Sequence, residues 1–213
     1  MSDPAPVVHV IDDDEPLRTA LIRLLQAAGY EARGYASACD FIIDFAESRP
    51  GCIILDVRMP GPNGLDLHDA LRRRTHALPV IFLTGHGDIA MSVRAMRSGA
   101  IDFLTKPVER RALLGAVQRA LEQDAAVRRA QDAQRASRQY YDTLTPRERE
   151  VFQGVIAGKL NKQIAADLGA AERTIKAHRA HVMQKMKVGS VAELVRLAEH
   201  MNGPPIERPN VMS

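Results

Sequence analysis

Four short stretches of this 213-residue chain set charged or hydroxyl side chains directly after apolar runs, three of them with carboxylates or a lysine that could gather round a cation site. Asp12, Asp13 and Asp14 stand in a row after one apolar run, Asp56 ends a second, Thr84 ends a third, and Lys106 with Pro107 follows a fourth. Carboxylates gathered at one place repel one another, and a hard divalent cation relieves the repulsion. Mg²⁺ takes one or two carboxylates and completes its shell with water and phosphate oxygens. The chemistry therefore requires that the four stretches meet.

The elements that would bring them together alternate along the first half. Val7 to Ile11, Glu31 to Tyr35, Cys52 to Asp56, Pro79 to Thr84 and Ile101 to Thr105 read as strands. Glu15 to Ala28, Ser37 to Glu47, Gly64 to Arg73, Asp88 to Ser98 and Glu109 to Glu122 read as helices. Val-Val-His-Val-Ile, Cys-Ile-Ile-Leu and Val-Ile-Phe-Leu are apolar on both faces, as a parallel sheet covered by helices on either side requires. The pattern predicts a doubly wound α/β domain with a five-stranded parallel sheet over residues 7–122. In such a sheet the carboxyl ends of the strands open onto one crevice, where ligands bind. Asp12 to Asp14, Asp56, Thr84 and Lys106 all fall at those ends. Asp14 reads as a solvated neighbour or a charge at a helix start.

Val-Ile-Asp12-Asp13-Asp14, Leu55-Asp56-Val57-Arg58-Met59-Pro60-Gly61 with Asn63-Gly64, Leu83-Thr84-Gly85-His86-Gly87 and Phe103-Leu104-Thr105-Lys106-Pro107 resemble, in order and spacing, the signatures of the two-component receiver domain, which has a flavodoxin-like fold. The resemblance implies Asp56 as phosphoacceptor. It implies Mg²⁺, or Mn²⁺ in its place, held by Asp13, Asp56 and the backbone carbonyl of Arg58, with Asp12 helping directly or through water. Lys106 and Thr84 would contact the phosphoryl group, Phe103 would be the aromatic switch, and the Lys106–Pro107 peptide would be cis.

The rear half has a different character. The chain carries a net charge of +3, made of −2 over residues 1–122 and +5 over the remainder, which fits either a polyanion-binding tail or a solvated basic face. From 123 to 141 the sequence is polar and Ala-rich with no Gly or Pro, and Asp124 with Arg128 makes an i,i+4 pair, so a solvated linker helix is expected there. Thr145-Pro146-Arg147-Glu148 reads as a helix start with a capping box. A short helix capped by Asn161 and a turn at Gly169 follow. A longer helix from about Glu172 to Lys187 buries Ile175, Val182 and Met186, and a last one runs from Val191 to His200. Small helix, Gly turn, longer basic helix is the outline of a helix-turn-helix, though generic helix pairs share it.

Leu144-Thr145-Pro146-Arg147-Glu148-Arg149-Glu150 with Gly158-Lys159, Asn161-Lys162-Gln163-Ile164-Ala165 and Thr174-Ile175-Lys176-Ala177-His178 is more specific, and resembles the four-helix LuxR-type DNA-binding domain. A receiver joined to this domain is the NarL/FixJ arrangement, and the His178-Arg179-Ala180 stretch leans toward the FixJ side. The expected domains are a receiver at 7–122, a linker helix at 123–141, an all-α four-helix domain at 142–202 with its helix-turn-helix at 161–180, and a disordered tail at 203–213. Advancing 100° per residue from an inward Ile175 turns Arg173, Ala177 and Ala180 outward, with Lys176 and His181 on the flanks. With Thr174 and with Asn161 and Lys162, where a helix start suits a phosphate, these are the candidate DNA contacts. Ala171 stands where many relatives cap the helix with Ser, and Ala180 where some carry Lys.

The resemblance implies a cytoplasmic transcriptional response regulator with a cognate sensor histidine kinase, promoter DNA and RNA polymerase as partners, forming a homodimer on phosphorylation and contacting no membrane. The expected dimer surface is helix Asp88 to Ser98 with strand Ile101 to Thr105 and helix Glu109 to Glu122. Two alternatives are a phosphorylation-independent transcription factor and a Mg²⁺-dependent phosphotransfer enzyme using the same acid pocket. Composition agrees with a regulator rather than a membrane or disulfide-rich protein: no apolar run reaches about 18 residues, and no signal-peptide pattern opens the chain. The two cysteines, Cys39 and Cys52, have no metal spacing and read as small buried hydrophobes.

Overall fold

The computed structural model describes residues 4–45, 49–61, 63–73, 77–85 and 99–202. The chain divides into two compact units, Met1–Val127 and Arg128–Ser213. The helix expected over Asp88 to Ser98 and the tail at 203–213 lie outside the described residues.

In the first unit, β1 (Val7–Ile11), β2 (Glu31–Tyr35), β3 (Gly51–Asp56), β4 (Val80–Thr84) and β5 (Asp102–Thr105) form one sheet in the order β2-β1-β3-β4-β5. Every neighbouring pair is parallel. The three strands with the strongest apolar runs, β1, β3 and β4, are interior and buried along their whole length, while the polar β2 takes one edge and β5 the other. Alternate residues of each strand feed two cores. On one face Ile53, Leu55 and Phe82 pack with Phe41 of α2 (Ala38–Asp44) and with Leu67 and Leu71 of α3 (Gly64–Leu71). On the other, Val8, Val10, Cys52, Ile54 and Ile81 pack with Leu21 and Leu25 of α1 (Glu15–Ala27) and with Leu113, Ala116 and Val117 of α4 (Arg110–Asp142). Helices on both faces of a parallel sheet are the doubly wound arrangement.

Two expectations need correction here. Cys39 is exposed, because the inward stripe of α2 is taken by Ala38 and Phe41 on the far side of the turn; Cys52 alone is a buried hydrophobe. Asp124 does not sit on a solvated helix face. It is buried, and its Oδ2 accepts a hydrogen bond of 2.9 Å from the N–H of Gly51, at the start of β3. The helix itself is assigned over 33 residues, Arg110–Asp142.

In the second unit α5 (Pro146–Ile156), α6 (Asn161–Asp167), α7 (Glu172–Lys185) and α8 (Val191–Asn202) enclose Leu144, Val151, Phe152, Val155, Ile164, Ile175, Val182, Met186 and Leu194. Tyr141, near the end of α4, sets its ring edge-on to Phe152 at 5.1 Å between centroids. Thr145 and Glu148 form the expected capping box. Gly169 takes φ +60° in the turn between α6 and α7, a conformation that favours a residue without Cβ. Asn161 is not the cap of α6. Leu160 occupies that position, its N–H is taken by Gln163 Oε1 at 2.8 Å, and the Asn161 side chain accepts instead from Arg179 Nη1 at 2.9 Å.

Candidate functional site

The carboxyl ends of β1, β3, β4 and β5 carry Asp12, Asp56, Thr84 and Lys106 to one crevice. Asp12 immediately follows β1 and is fully buried. Its Oδ1 accepts the N–H of Asp14 at 3.0 Å, and its backbone carbonyl accepts Arg18 Nη1 at 2.6 Å. Asp14 turns away to cap α1, accepting the N–H of Leu17. Asp56 ends β3, 6% exposed, and its Oδ1 accepts the N–H of Arg58 at 3.2 Å. Asp13 is exposed beside them. One carboxylate oxygen from each of Asp12, Asp13 and Asp56 lies within 4.8 Å of the other two.

Lys106 closes the group. Its Nζ donates to Asp12 Oδ2 at 2.7 Å and to Asp56 Oδ2 at 2.8 Å, and its backbone N–H donates to the carbonyl of Thr84. The Lys106–Pro107 peptide is cis. Burial pushes the Asp12 carboxyl above its usual range, and the hydrogen bonds from Lys106 and Asp14 only partly offset that. Burial works against the Lys106 ammonium too, but hydrogen bonds to Asp12 and Asp56 outweigh it and raise its pKa. Lysine therefore stays charged between two carboxylates. The Thr84 side chain is buried. Phe103 is half-buried, with its ring 6.4 Å from that of Phe82. His86 and Gly87, which follow Thr84 in the motif, lie outside the described residues.

Close packing fixes where Asp56 stands. A Cβ on Gly64, the first residue of α3, would come 2.3 Å from the carbonyl oxygen of Asp56, so only glycine lets α3 start this near the end of β3. Asn63 and Asp66 complete a capping box at the same helix start.

In the second unit α7 buries Ile175 and Val182 on one side and leaves Arg173, Thr174, Lys176, Ala177, Ala180 and His181 exposed. Lys162 is exposed and Asn161 half-buried against Arg179. Ala171 heads α7 without a side-chain cap. Two supporting contacts were not legible in the sequence. Arg18 anchors the backbone of Asp12, and Lys185 donates to Glu148 Oε2 at 2.6 Å across 37 residues of chain. Burial would raise the Glu148 carboxyl, but Lys185 and the N–H and hydroxyl of Thr145 more than offset it, holding the pKa down to about 2.

A parallel sheet with an acid crevice bridged by lysine, followed by a helical unit with an open basic helix face, defines a class of regulator in which a phosphate-handling domain precedes a DNA-binding one. Comparison with known families agrees. Residues 8–118 match the response regulator receiver domain, and residues 142–198 match the luxR family of bacterial regulatory proteins. The chain is similar to the response regulator protein TodT of Pseudomonas putida, 42% identical over 203 residues that cover 94% of this chain and 88% of TodT. It is also similar to the transcriptional regulatory protein FixJ of Azorhizobium caulinodans, 43% identical over 191 residues, 90% of each chain. The solved structure of the response regulator StyR superimposes with a TM-score of 0.83 at 44% identity, covering 92% of this chain and 98% of StyR. The chain belongs to the NarL/FixJ family of response regulators, with a receiver followed by a LuxR-type DNA-binding domain. These relatives are named as a response regulator and a transcriptional regulatory protein. No described helix is long and apolar enough to cross a membrane.

Proposed function

We propose that a cognate sensor histidine kinase phosphorylates Asp56, and that the phosphorylated chain forms a homodimer, binds promoter DNA in the cytoplasm and activates transcription through RNA polymerase. The observation that carries this reading is the Lys106 bridge, an ammonium held 2.7 and 2.8 Å from two carboxylates at the mouth of a parallel sheet.

The donor set suits a hard cation, since Asp12, Asp13 and Asp56 offer only oxygens, close together and without a sulfur or imidazole among them. Asp13, Asp56 and the backbone carbonyl of Arg58 would hold Mg²⁺, or Mn²⁺ in its place, with Asp12 directly or through water. Bound there, the ion would supply charge neutralisation to the incoming phosphoryl oxygens. The transfer itself is a displacement. A carboxylate oxygen of Asp56 attacks phosphorus on the kinase's phosphohistidine, the P–O bond forms as the P–N bond breaks, and the imidazole leaves with the electron pair.

Lys106 would give one of its ammonium hydrogens to an equatorial oxygen when Asp56 is modified. Thr84 would donate its hydroxyl to the same group, and Phe103 would fill the space that the Thr84 loop vacates. Phosphorylation changes activity only so far as these contacts stabilise the active state more than the inactive one. The dimer would use β5 and the first part of α4, together with the segment 88–98, which lies outside the described residues. Arg173, Thr174, Lys176, Ala177, Ala180 and His181 would face the major groove, with Lys162 and Asn161 near the phosphates. The exposure of the α7 residues and of Lys162 at the start of α6 supports this.

The test is labelling with acetyl phosphate and Mg²⁺, or with the phosphorylated kinase. Wild type should take up one phosphoryl group and Asp56→Asn none. Persistent labelling of the variant would move the phosphoacceptor elsewhere.

A further inference from the structure

The second unit holds a cluster of another chemical kind. Glu148, in the first turn of α5, and His178 and His181, three residues apart on α7, each bring one ligand atom within 4.8 Å of the other two. Residues at i and i+3 share a helix face, so both imidazoles can turn toward one point. Glu148 is buried, and its two oxygens are used differently. Oε2 accepts from the N–H of Thr145 at 2.8 Å and from Lys185 Nζ at 2.6 Å. Oε1 is the oxygen turned toward His181, whose Nδ1 is 3.9 Å away, too far for a hydrogen bond. His178 is half-buried and makes no hydrogen bond or ion pair among the described residues.

We infer that Glu148, His178 and His181 form a binding site for one transition-metal ion of the zinc class. Two imidazoles and a carboxylate are a donor set that favours Zn²⁺, Co²⁺, Ni²⁺ or Cu²⁺ over Mg²⁺, and three protein ligands leave a fourth position for water. Metal–ligand bonds of about 2.0–2.2 Å bring ligand atoms to roughly 3.4 Å from one another. Rotation of the exposed His181 supplies that closing movement, while Lys185 keeps Oε2 and orients the carboxylate. The ion would occupy the same imidazole that flanks the proposed groove face, so metal and DNA compete for His181. This last consequence rests on the DNA-contact reading; the site does not.

The experiment is a visible-absorption titration of the tag-free full chain with Co²⁺ in excess Mg²⁺, which keeps the acid crevice occupied by the harder ion. Wild type should show one equivalent of Co²⁺ with the intense d–d bands of a four-coordinate nitrogen and oxygen site, displaced by Zn²⁺. His181→Asn should weaken binding at least about tenfold, with an unchanged melting curve because His181 lies outside the core. Superimposable titrations for wild type and His181→Asn, or no four-coordinate band in wild type, would overturn the site. If Co²⁺ binds as expected but Zn²⁺ leaves DNA affinity unchanged, the reading of His181 as a groove residue fails and the metal site stands.

Discussion

Lys106 Nζ lies 2.8 Å from Asp56 Oδ2, joining residues 50 positions apart through the ends of β5 and β3. The same ammonium holds Asp12, so one side chain keeps two inward carboxylates from facing each other unshielded.

Removing that charge without removing its bulk separates the chemical role from the structural one. Lys106→Met should slow phosphoryl uptake from acetyl phosphate by about 100-fold, the usual loss when one oxyanion donor is deleted. Its melting temperature should respond more strongly to added Mg²⁺ than that of wild type, since the cation would then be the sole counter-charge. Single-turnover labelling and thermal melts with and without Mg²⁺ check both; a wild-type labelling rate would remove Lys106 from the transfer.

Gly64→Ala tests how tightly the site is set. The added methyl would meet the backbone oxygen of Asp56 at 2.3 Å, a contact that no flexible side chain can relieve. Overpacking of this kind costs about 1–3 kcal/mol, and the shift falls on Asp56, the proposed phosphoacceptor. We expect both a lower urea midpoint and slower labelling, whereas a variant as stable and as fast as wild type would show that α3 can move back freely.

Much of this site was legible before the fold. β1, β3 and β4 are apolar on both faces, which marks interior parallel strands, and the rule for open α/β sheets then sends Asp12, Asp56 and Thr84 to one edge. The Lys106 contacts were not legible as geometry, because nothing in local sequence says how far Nζ reaches. The residue type of Asn161 points to a cap, but Gln163 meets the need of Leu160 from three residues on. Asp124 reads locally as an exposed helix charge because its partner, the Gly51 N–H, is 73 residues away. Glu148 read as a cap, which it is, but its burial and its pairing with Lys185 depend on the packing of α5 against α7.

The absent cap on α7 offers a gain. Ala171 has the extended backbone of an N-cap but no side-chain acceptor. Ala171→Ser should stabilise the second unit by about 1 kcal/mol, read as a higher denaturant midpoint with an unchanged slope. No gain would mean that the exposed N–H groups at this helix start are already satisfied by water.

His9 sets an acid limit on the first unit. Tyr35 gives its hydroxyl proton to Asp44 Oδ2 at 2.8 Å, which leaves its oxygen to accept from His9 Nδ1 at 3.2 Å. Burial, then the charge of Arg33, lowers the His9 pKa to about 4. The unfolded chain binds this proton near 6.5, so between roughly pH 6.5 and 4 the unfolded state holds more protons and stability falls as pH falls. A shift of this size amounts to on the order of 3 kcal/mol. His9→Phe, which keeps a ring beside Phe41 and Phe45, should lose this part of the pH dependence in urea titrations at pH 7 and pH 5. An equal acid loss in the variant would assign it to other groups.

The central claim is that phosphate on Asp56 controls DNA binding. Its most direct test is capture and sequencing of genomic fragments by wild type and Asp56→Asn, each with and without acetyl phosphate and Mg²⁺, at one fixed salt concentration. Enrichment of a shared inverted-repeat site by wild type only when the donor is present, and by the variant in neither condition, is the predicted result. Equal enrichment in all four samples would contradict the phospho-switch and leave a transcription factor that binds without it.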